Sequence, residues 1–324
     1  MNVSVLSGVY NYSSNVAYKT HTNDDEEPKD PSKYNEPAPL AACRAGDITR
    51  LQTELEKDRH IVYDYYASKS GSTIDLLSMA ASIKNVEILE FLLRHGALAD
   101  HATPAGATPL MYAAQSGFDF GVQKLLEESA SVTQLTAEGR TPLFYAAEEG
   151  SRGTNELLLN HNANVNWQDK NGVFPLYIAA GRGHYQLVEL FLEHKAKVGL
   201  SCPDGSTALH VAAFQNHLNI VKLLIKHNAN VNECTRKGAT ALLFATQEGH
   251  NLIVEELLKY GANPEKKVKT SLFTKTSPLS ASKHIAKNPD ITNMLKKAIK
   301  DRKAESPHPA SQLLSRVKFS YQPF

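Results

Sequence analysis

Cysteine is scarce in this sequence. Cys43, Cys202 and Cys234 are the only three among 324 residues, and they show neither zinc-site spacing nor a paired disulfide framework. Reduced thiols in a cytoplasmic setting are the expectation. Long apolar runs are missing as well: none approaches the roughly 18 residues needed to cross a bilayer. The opening MNVSVLSGVYNYSSN lacks the basic start and apolar core of a secretory leader. Neither sign of charge is in excess, since the formal net charge is +1, and this gives no global attraction to nucleic acid or membrane. No HExxH, Walker A loop, G-x-S-x-G elbow or dinucleotide fingerprint occurs. Neither catalysis nor a cofactor is therefore expected.

What the sequence has instead is repetition. The phrases TPLMYAAQSG, TPLFYAAEEG, FPLYIAAGRG, TALHVAAFQN and TALLFATQEG begin at Thr108, Thr141, Phe174, Thr207 and Thr240, each 33 residues after the last. Thr108 and Thr141 suit a helix N-cap, with Pro109 and Pro142 at the first helical position. Phe174 keeps Pro175 but has no hydroxyl, whereas Thr207 and Thr240 lack the proline. The alanine pair in the first four phrases lets a neighbouring helix approach closely. Gly117, Gly150, Gly183 and Gly249 supply left-handed caps. A second amphipathic run follows in each unit, with Ile220, Val221, Leu223 and Leu224 on one stripe, and then a polar, glycine-containing turn.

A strict period of this length signals a solenoid whose units fold by stacking, and T-P-L-H-x-A at 33 residues is an ankyrin signature. The chain resembles the ankyrin-repeat family. The resemblance implies an all-α ankyrin-repeat solenoid of about seven to eight stacked helix-turn-helix repeats with projecting turns. Ala42 and Cys43 before Gly46, and Ala80 and Ala81 one period before Ala113 and Ala114, carry the register towards the N-terminus. The expected division is a disordered segment over 1–35, a repeat domain over 36–300 with capping repeats at about 36–70 and 271–300, and a flexible tail over 301–324. Tyr10, Tyr12 and Tyr18 offer an alternative in which the first segment folds back as a cap. Tyr63, Tyr65 and Tyr66 lie in an overlong connection, where they either pack across the first two repeats or meet a partner.

The resemblance also implies where a partner protein binds: on a concave face made by the first helices, and on the turn tips. Position by position, the first-helix candidates are Gln115, Glu148, Glu149, Arg182, Phe214, Gln215, Gln247 and Glu248. The tip candidates are Arg140, Lys170, Arg236 and Lys237. Trp167, the only tryptophan, and Phe214 are aromatic where polar residues are expected, as binding anchors tend to be. Eight of the 13 histidines occupy framework positions: His95, His161, His194 and His227 end second helices, His184, His217 and His250 share a turn, and His210 lies in the TALH phrase. Backbone hydrogen bonding is their expected role, and metal binding is not expected. Cys43 occupies an alanine-like position, which argues for burial and against nucleophilic use.

Between Lys259 and Lys303 stand twelve Lys or Arg against Glu265, Asp290 and Asp301. A solvated cap is the plain reading; the alternative is docking to an acidic protein, to a phosphoinositide surface through a weak basic-patch contact, or, least expected, to nucleic acid. Nucleic acid is not expected, because no recognised nucleic-acid module is present. The functional expectation is a non-catalytic scaffold or adaptor that binds another protein. Two alternatives stay open: a bacterial effector acting in a host cytosol, whose tail LLSRVKFSYQPF addresses it, and an enzyme with an unrecognised site in the loops or termini.

Overall fold

The computed structural model describes residues 36–67, 73–266, 268–269, 275–284 and 288–305. The segment 1–35, with Tyr10, Tyr12 and Tyr18, and the tail from 306 onward, with LLSRVKFSYQPF, lie outside the described residues. Among the described residues the chain forms eight consecutive helix pairs, falling into two compact units, Met1–Asn164 and Val165–Phe324.

The first unit holds α1 (Ala38–Ala45) with α2 (Ile48–Lys57), α3 (Leu76–Ser82) with α4 (Val86–Arg94), α5 (Pro109–Ser116) with α6 (Asp119–Glu127), and α7 (Pro142–Glu149) with α8 (Arg152–Asn160). Between α2 and α3 the overlong connection carries a 3-10 helix over Arg59–Tyr63 and a small hairpin, β1 (Tyr66–Ala67) pairing antiparallel with β2 (Thr73–Ile74). The second unit holds α9 (Pro175–Arg182) with α10 (Tyr185–Glu193), α11 (Ala208–Phe214) with α12 (Leu218–Lys226), α13 (Ala241–Glu248) with α14 (Asn251–Lys259), and α15 (Pro278–His284) with α16 (Pro289–Glu305). A second hairpin, β3 (Val268–Lys269) with β4 (Lys275–Thr276), precedes α15. The last helix runs to Glu305, five residues past the expected end of the repeat domain.

Each first helix starts as its sequence dictates. The hydroxyls of Thr108, Thr141 and Thr240 accept the N–H of Met111, Phe144 and Leu243 at 3.4, 3.3 and 3.3 Å. At α3 the same register position holds Asp75, whose carboxylate accepts both the N–H and the hydroxyl of Ser78 at 2.8 and 2.9 Å. The alanine pairs Ala80/Ala81, Ala113/Ala114, Ala146/Ala147, Ala179/Ala180 and Ala212/Ala213 are completely buried. Within each unit they let consecutive first helices pack at close range. Second helices contribute the larger apolar residues, such as Leu89, Leu125, Leu158, Phe191, Leu224 and Leu257.

Gly183 shows why glycine closes the first helix. Its φ is +82°, and a Cβ there would stand 2.6 Å from the imidazole of His217, whose Nε2 lies 3.1 Å from the Gly181 carbonyl. The next repeat repeats the tie, with His250 Nε2 2.9 Å from the Phe214 carbonyl. These framework histidines thus brace one repeat against its predecessor, as expected.

The aromatic connection packs across the first repeats. The phenols of Tyr63 and Tyr65 donate to the carbonyls of Gly96 and Ala102 at 3.1 and 2.6 Å, and the Tyr65 ring stacks on His101 at 4.6 Å. Loops are stapled in alternate repeats. Asp100, Asn166 and Asn232 accept the N–H of Ser131, Lys197 and Asn263 at 2.8, 2.7 and 2.7 Å, each from 31 residues on.

Candidate partner-binding surface

Among the described residues, the five projecting turns that open at Thr103, Thr136, Asp169, Cys202 and Thr235 are built to one plan. The residue opening each donates its N–H to the carbonyl four residues on, as Thr103 does to Ala107, Asp169 to Val173, Cys202 to Ser206 and Thr235 to Ala239, at 2.8 to 2.9 Å. The glycine three residues on takes a positive φ and donates back, Gly106 to Thr103 at 2.7 Å and Gly238 to Thr235 at 2.7 Å. Side chains at the opening position seal the turn: Thr103 and Thr235 hydroxyls accept from Ala107 and Ala239 N–H at 3.1 Å, and the Asp169 carboxylate accepts from Asn171 and Val173 at 2.9 and 2.8 Å. Adjacent tips also join through main chain alone, Ala137 N–H to Ala105 carbonyl at 2.9 Å in the first unit and Arg236 N–H to Asp204 carbonyl at 2.7 Å in the second. The two residues between each turn's opening and its glycine are thereby held rigidly.

In the first unit, Glu149 is exposed, and Gln115 and Glu148 are half-buried on the first-helix face. The stem of Glu149 lies over Gly117, where a Cβ would be 3.2 Å from its Cγ. Arg140 is a correction. Expected on a projecting tip, it is only 5% exposed, and its guanidinium sits over the Phe144 ring at 4.7 Å. It sits just past the turn glycine, where the chain already dips towards α7, and its aliphatic stem and planar head pack instead of projecting.

In the second unit, Lys170, Arg182, Arg236, Lys237 and Glu248 are exposed, while Gln215 and Gln247 are half-buried. Trp167 is 36% exposed. Its neighbour Gln168 pins the loop by donating from Nε2 to the carbonyls of Gly172 and Ser201 at 2.9 and 3.0 Å. Phe214 is half-buried: its ring meets Phe244 edge-on at 6.2 Å while its carbonyl is held by His250. Part of the Phe214 ring is therefore committed to packing, and the residue presents only part of its surface. The unit thus brings together tips carrying cations with an inner helix face carrying an aromatic and two amides.

Buried groups in the repeats are structural. His210 is 1% exposed; its Nδ1 accepts the N–H of Thr207 at 3.2 Å and its Nε2 reaches the Glu233 carbonyl at 3.2 Å, which fixes a neutral tautomer. Burial pushes its pKa below the usual 6.5. The thiols of Cys43 and Cys202 are both buried and pushed up to about 12, chiefly by desolvation, so neither is a thiolate nucleophile at neutral pH. Among the described residues no group of three His, Cys, Asp or Glu could hold a metal ion. The sequence reading missed the loop staples of Asp100, Asn166 and Asn232; their signal was an Asx residue recurring at twice the period.

A family profile described as ankyrin repeats (3 copies) matches residues 40–135, 77–169, 121–202 and 176–268. No curated protein matches the chain. Among solved structures, the human ASB11 ankyrin repeat domain is 26% identical, with a TM-score of 0.62, over 68% of this chain and 96% of that one. Since 587 solved chains match, the likeness identifies an architecture and leaves the partner open. Ankyrin repeats are generally protein–protein interaction modules, and with overlapping matches over most of its length this chain belongs to the ankyrin-repeat family.

Proposed function

We propose that the protein is a non-catalytic scaffold or adaptor that holds a partner protein on the first-helix face and turn tips of its repeats. The observation that carries this reading is a contrast at one register. Turn openings, alanine pairs and histidine ties recur in nearly the same geometry, while the exposed side chains between them change in chemistry from unit to unit, as Glu149, Arg182 and Glu248 do. A preformed backbone of this kind presents its contacts with little ordering cost on binding. A stable interface of about 800 Å² per partner requires several adjacent repeats. Three free thiols suit a cytoplasmic location.

Trp167 and Phe214 are the proposed anchors, supported within the second unit by Lys170, Arg182, Gln215, Arg236, Lys237, Gln247 and Glu248; the first unit by itself offers Gln115, Glu148 and Glu149. Affinity capture with the full chain, followed by mass spectrometry, identifies the partner. The double variant Trp167→Ala/Phe214→Ala is expected to weaken capture by about thirty-fold or more, as loss of a hot spot does, with an unchanged helical circular dichroism spectrum. Full capture by that variant would remove both residues from the site. Turnover of a substrate that vanishes with a single cysteine or histidine change would overturn the non-catalytic reading itself.

A further inference from the structure

The final helix differs from its counterparts in length and charge. The second helices α4, α6, α8, α10, α12 and α14 each run for nine residues, whereas α16 runs for 17. Ile291 and Leu295 are buried and Met294, Ala298 and Ile299 half-buried, but from Lys300 to Ala304 every residue is exposed. The helix therefore continues where none of its faces is covered. At about 100° per residue, Lys296, Lys297, Lys300 and Lys303 fall in one arc of roughly 120° opposite Ile291. All four are exposed, and Asp290 and Asp301 lie just beyond one edge of that arc without entering it.

Helix α14 lies beside α16. Asn288 Nδ2 donates to Asn251 Oδ1 at 2.8 Å, joining their N-terminal ends, and Lys303 Nζ stands 3.7 Å from Glu265 Oε1, just beyond the end of α14. The exposed side of α14 and its cap carry two hydrophobic residues, Leu252 at 63% and Tyr260 at 49% exposure, with the Lys259 ammonium 5.3 Å from the Tyr260 ring centroid. The acidic groups nearby are Glu255, Glu256, which pairs with Lys259 at 3.6 Å, and Glu265. Among the described residues no helix is long and apolar enough to cross a membrane, so any lipid contact here is peripheral.

We propose that the outer face of α14 and α16 docks on an anionic lipid surface. Four lysines and no arginine make up the stripe, which suits a diffuse field of charge; an acidic protein with fixed carboxylates favours the bidentate fork of arginine. Duplex phosphates give Leu252 and Tyr260 nothing to enter, whereas the headgroup boundary of a bilayer accepts both an interfacial aromatic and an aliphatic side chain.

The test is co-sedimentation of the full chain with vesicles of phosphatidylcholine alone and of phosphatidylcholine with one third phosphatidylserine. Binding is expected only to the anionic vesicles. It should disappear as salt rises from about 0.1 M to about 1 M, which shortens the Debye length from about 10 Å to about 3 Å. Each lysine near the surface is worth a factor of about five, so K296Q/K297Q/K300Q/K303Q should lower partitioning by at least a hundredfold with the helical spectrum retained. L252S/Y260S should lower it while keeping the salt dependence. Equal binding to both vesicles, no binding to either, or tighter binding to poly-glutamate or duplex DNA than to the anionic vesicles overturns the proposal.

Discussion

Thr246 occupies the place that alanine takes in the five preceding repeats, and it is completely buried with no hydrogen-bond partner for its hydroxyl. A buried hydroxyl without a partner costs about 1 to 3 kcal/mol, against about 0.8 kcal/mol returned by its buried methyl. Thr246→Ala also gains about half a kcal/mol in helix propensity. The variant is therefore expected to be more stable by about 1 kcal/mol, read as a higher denaturation midpoint with an unchanged slope. His210 gives a second residue-scale prediction. Its folded pKa is depressed by burial below the usual 6.5, so as pH falls through 6.5 the unfolded chain takes up a proton that the folded chain refuses. The stability associated with His210 is fully present above 6.5 and is lost below it. Comparing wild type with His210→Gln from pH 7.5 to about pH 5 should show the variant losing less stability over that range; parallel curves would contradict the neutral assignment.

At the scale of one helix packed on another, Gly153 is set against Asp119. A Cβ at Gly153 would stand 2.2 Å from Asp119 Oδ2, and the same carboxylate accepts the hydroxyls of Ser151 and Thr154. Gly153→Ala is expected to push the exposed Asp119 carboxylate off its hydroxyl partners, which offsets the gain of about 1 kcal/mol that alanine brings as the better helix former. In an Asp119→Ala background the same change should show that gain in full, a difference that a double-mutant cycle reads directly. Asn232→Ala removes two bonds, from Nδ2 to the Gly261 carbonyl at 3.0 Å and to Oδ1 from Asn263 N–H at 2.7 Å. A loss of about 1 to 3 kcal/mol is expected in chemical denaturation. Elements of this kind differ in how well the sequence announces them. The threonine caps, alanine pairs and turn glycines obey local rules and were legible. The Asp119 to Thr154 bond joins residues 35 apart in the chain, and nothing local to either predicts it. Adjacency to a turn glycine predicts exposure for Arg140, but its burial depends on where the next helix begins. Of the proposed binding residues, positions could be read from the period, but the half-burial of Phe214 depends on Phe244 in the following repeat.

At the scale of the whole molecule, the chain's last described helix pair covers an apolar surface. In the second unit α15 and α16 contribute Ala281, Ile291 and Leu295 to the core next to Ile253, Val254 and Leu257 of α14. Ending the chain at Lys266 should expose that layer, since repeat stability is a sum of unit and neighbour terms. The expected readout is a lower melting temperature with stronger binding of a hydrophobic dye; an unchanged transition would mean that the last pair is dispensable. The tips behave differently. Because neighbouring tips are joined through peptide N–H and carbonyl groups, Ala137 to Ala105 and Arg236 to Asp204, the identity of the side chains between them is immaterial to the join. On the reading proposed above, exchanging a handful of outward letters at the tips would change what the surface accepts while these main-chain joins stay in place, so a lineage carrying the fold could acquire a different target without first having to repair its frame.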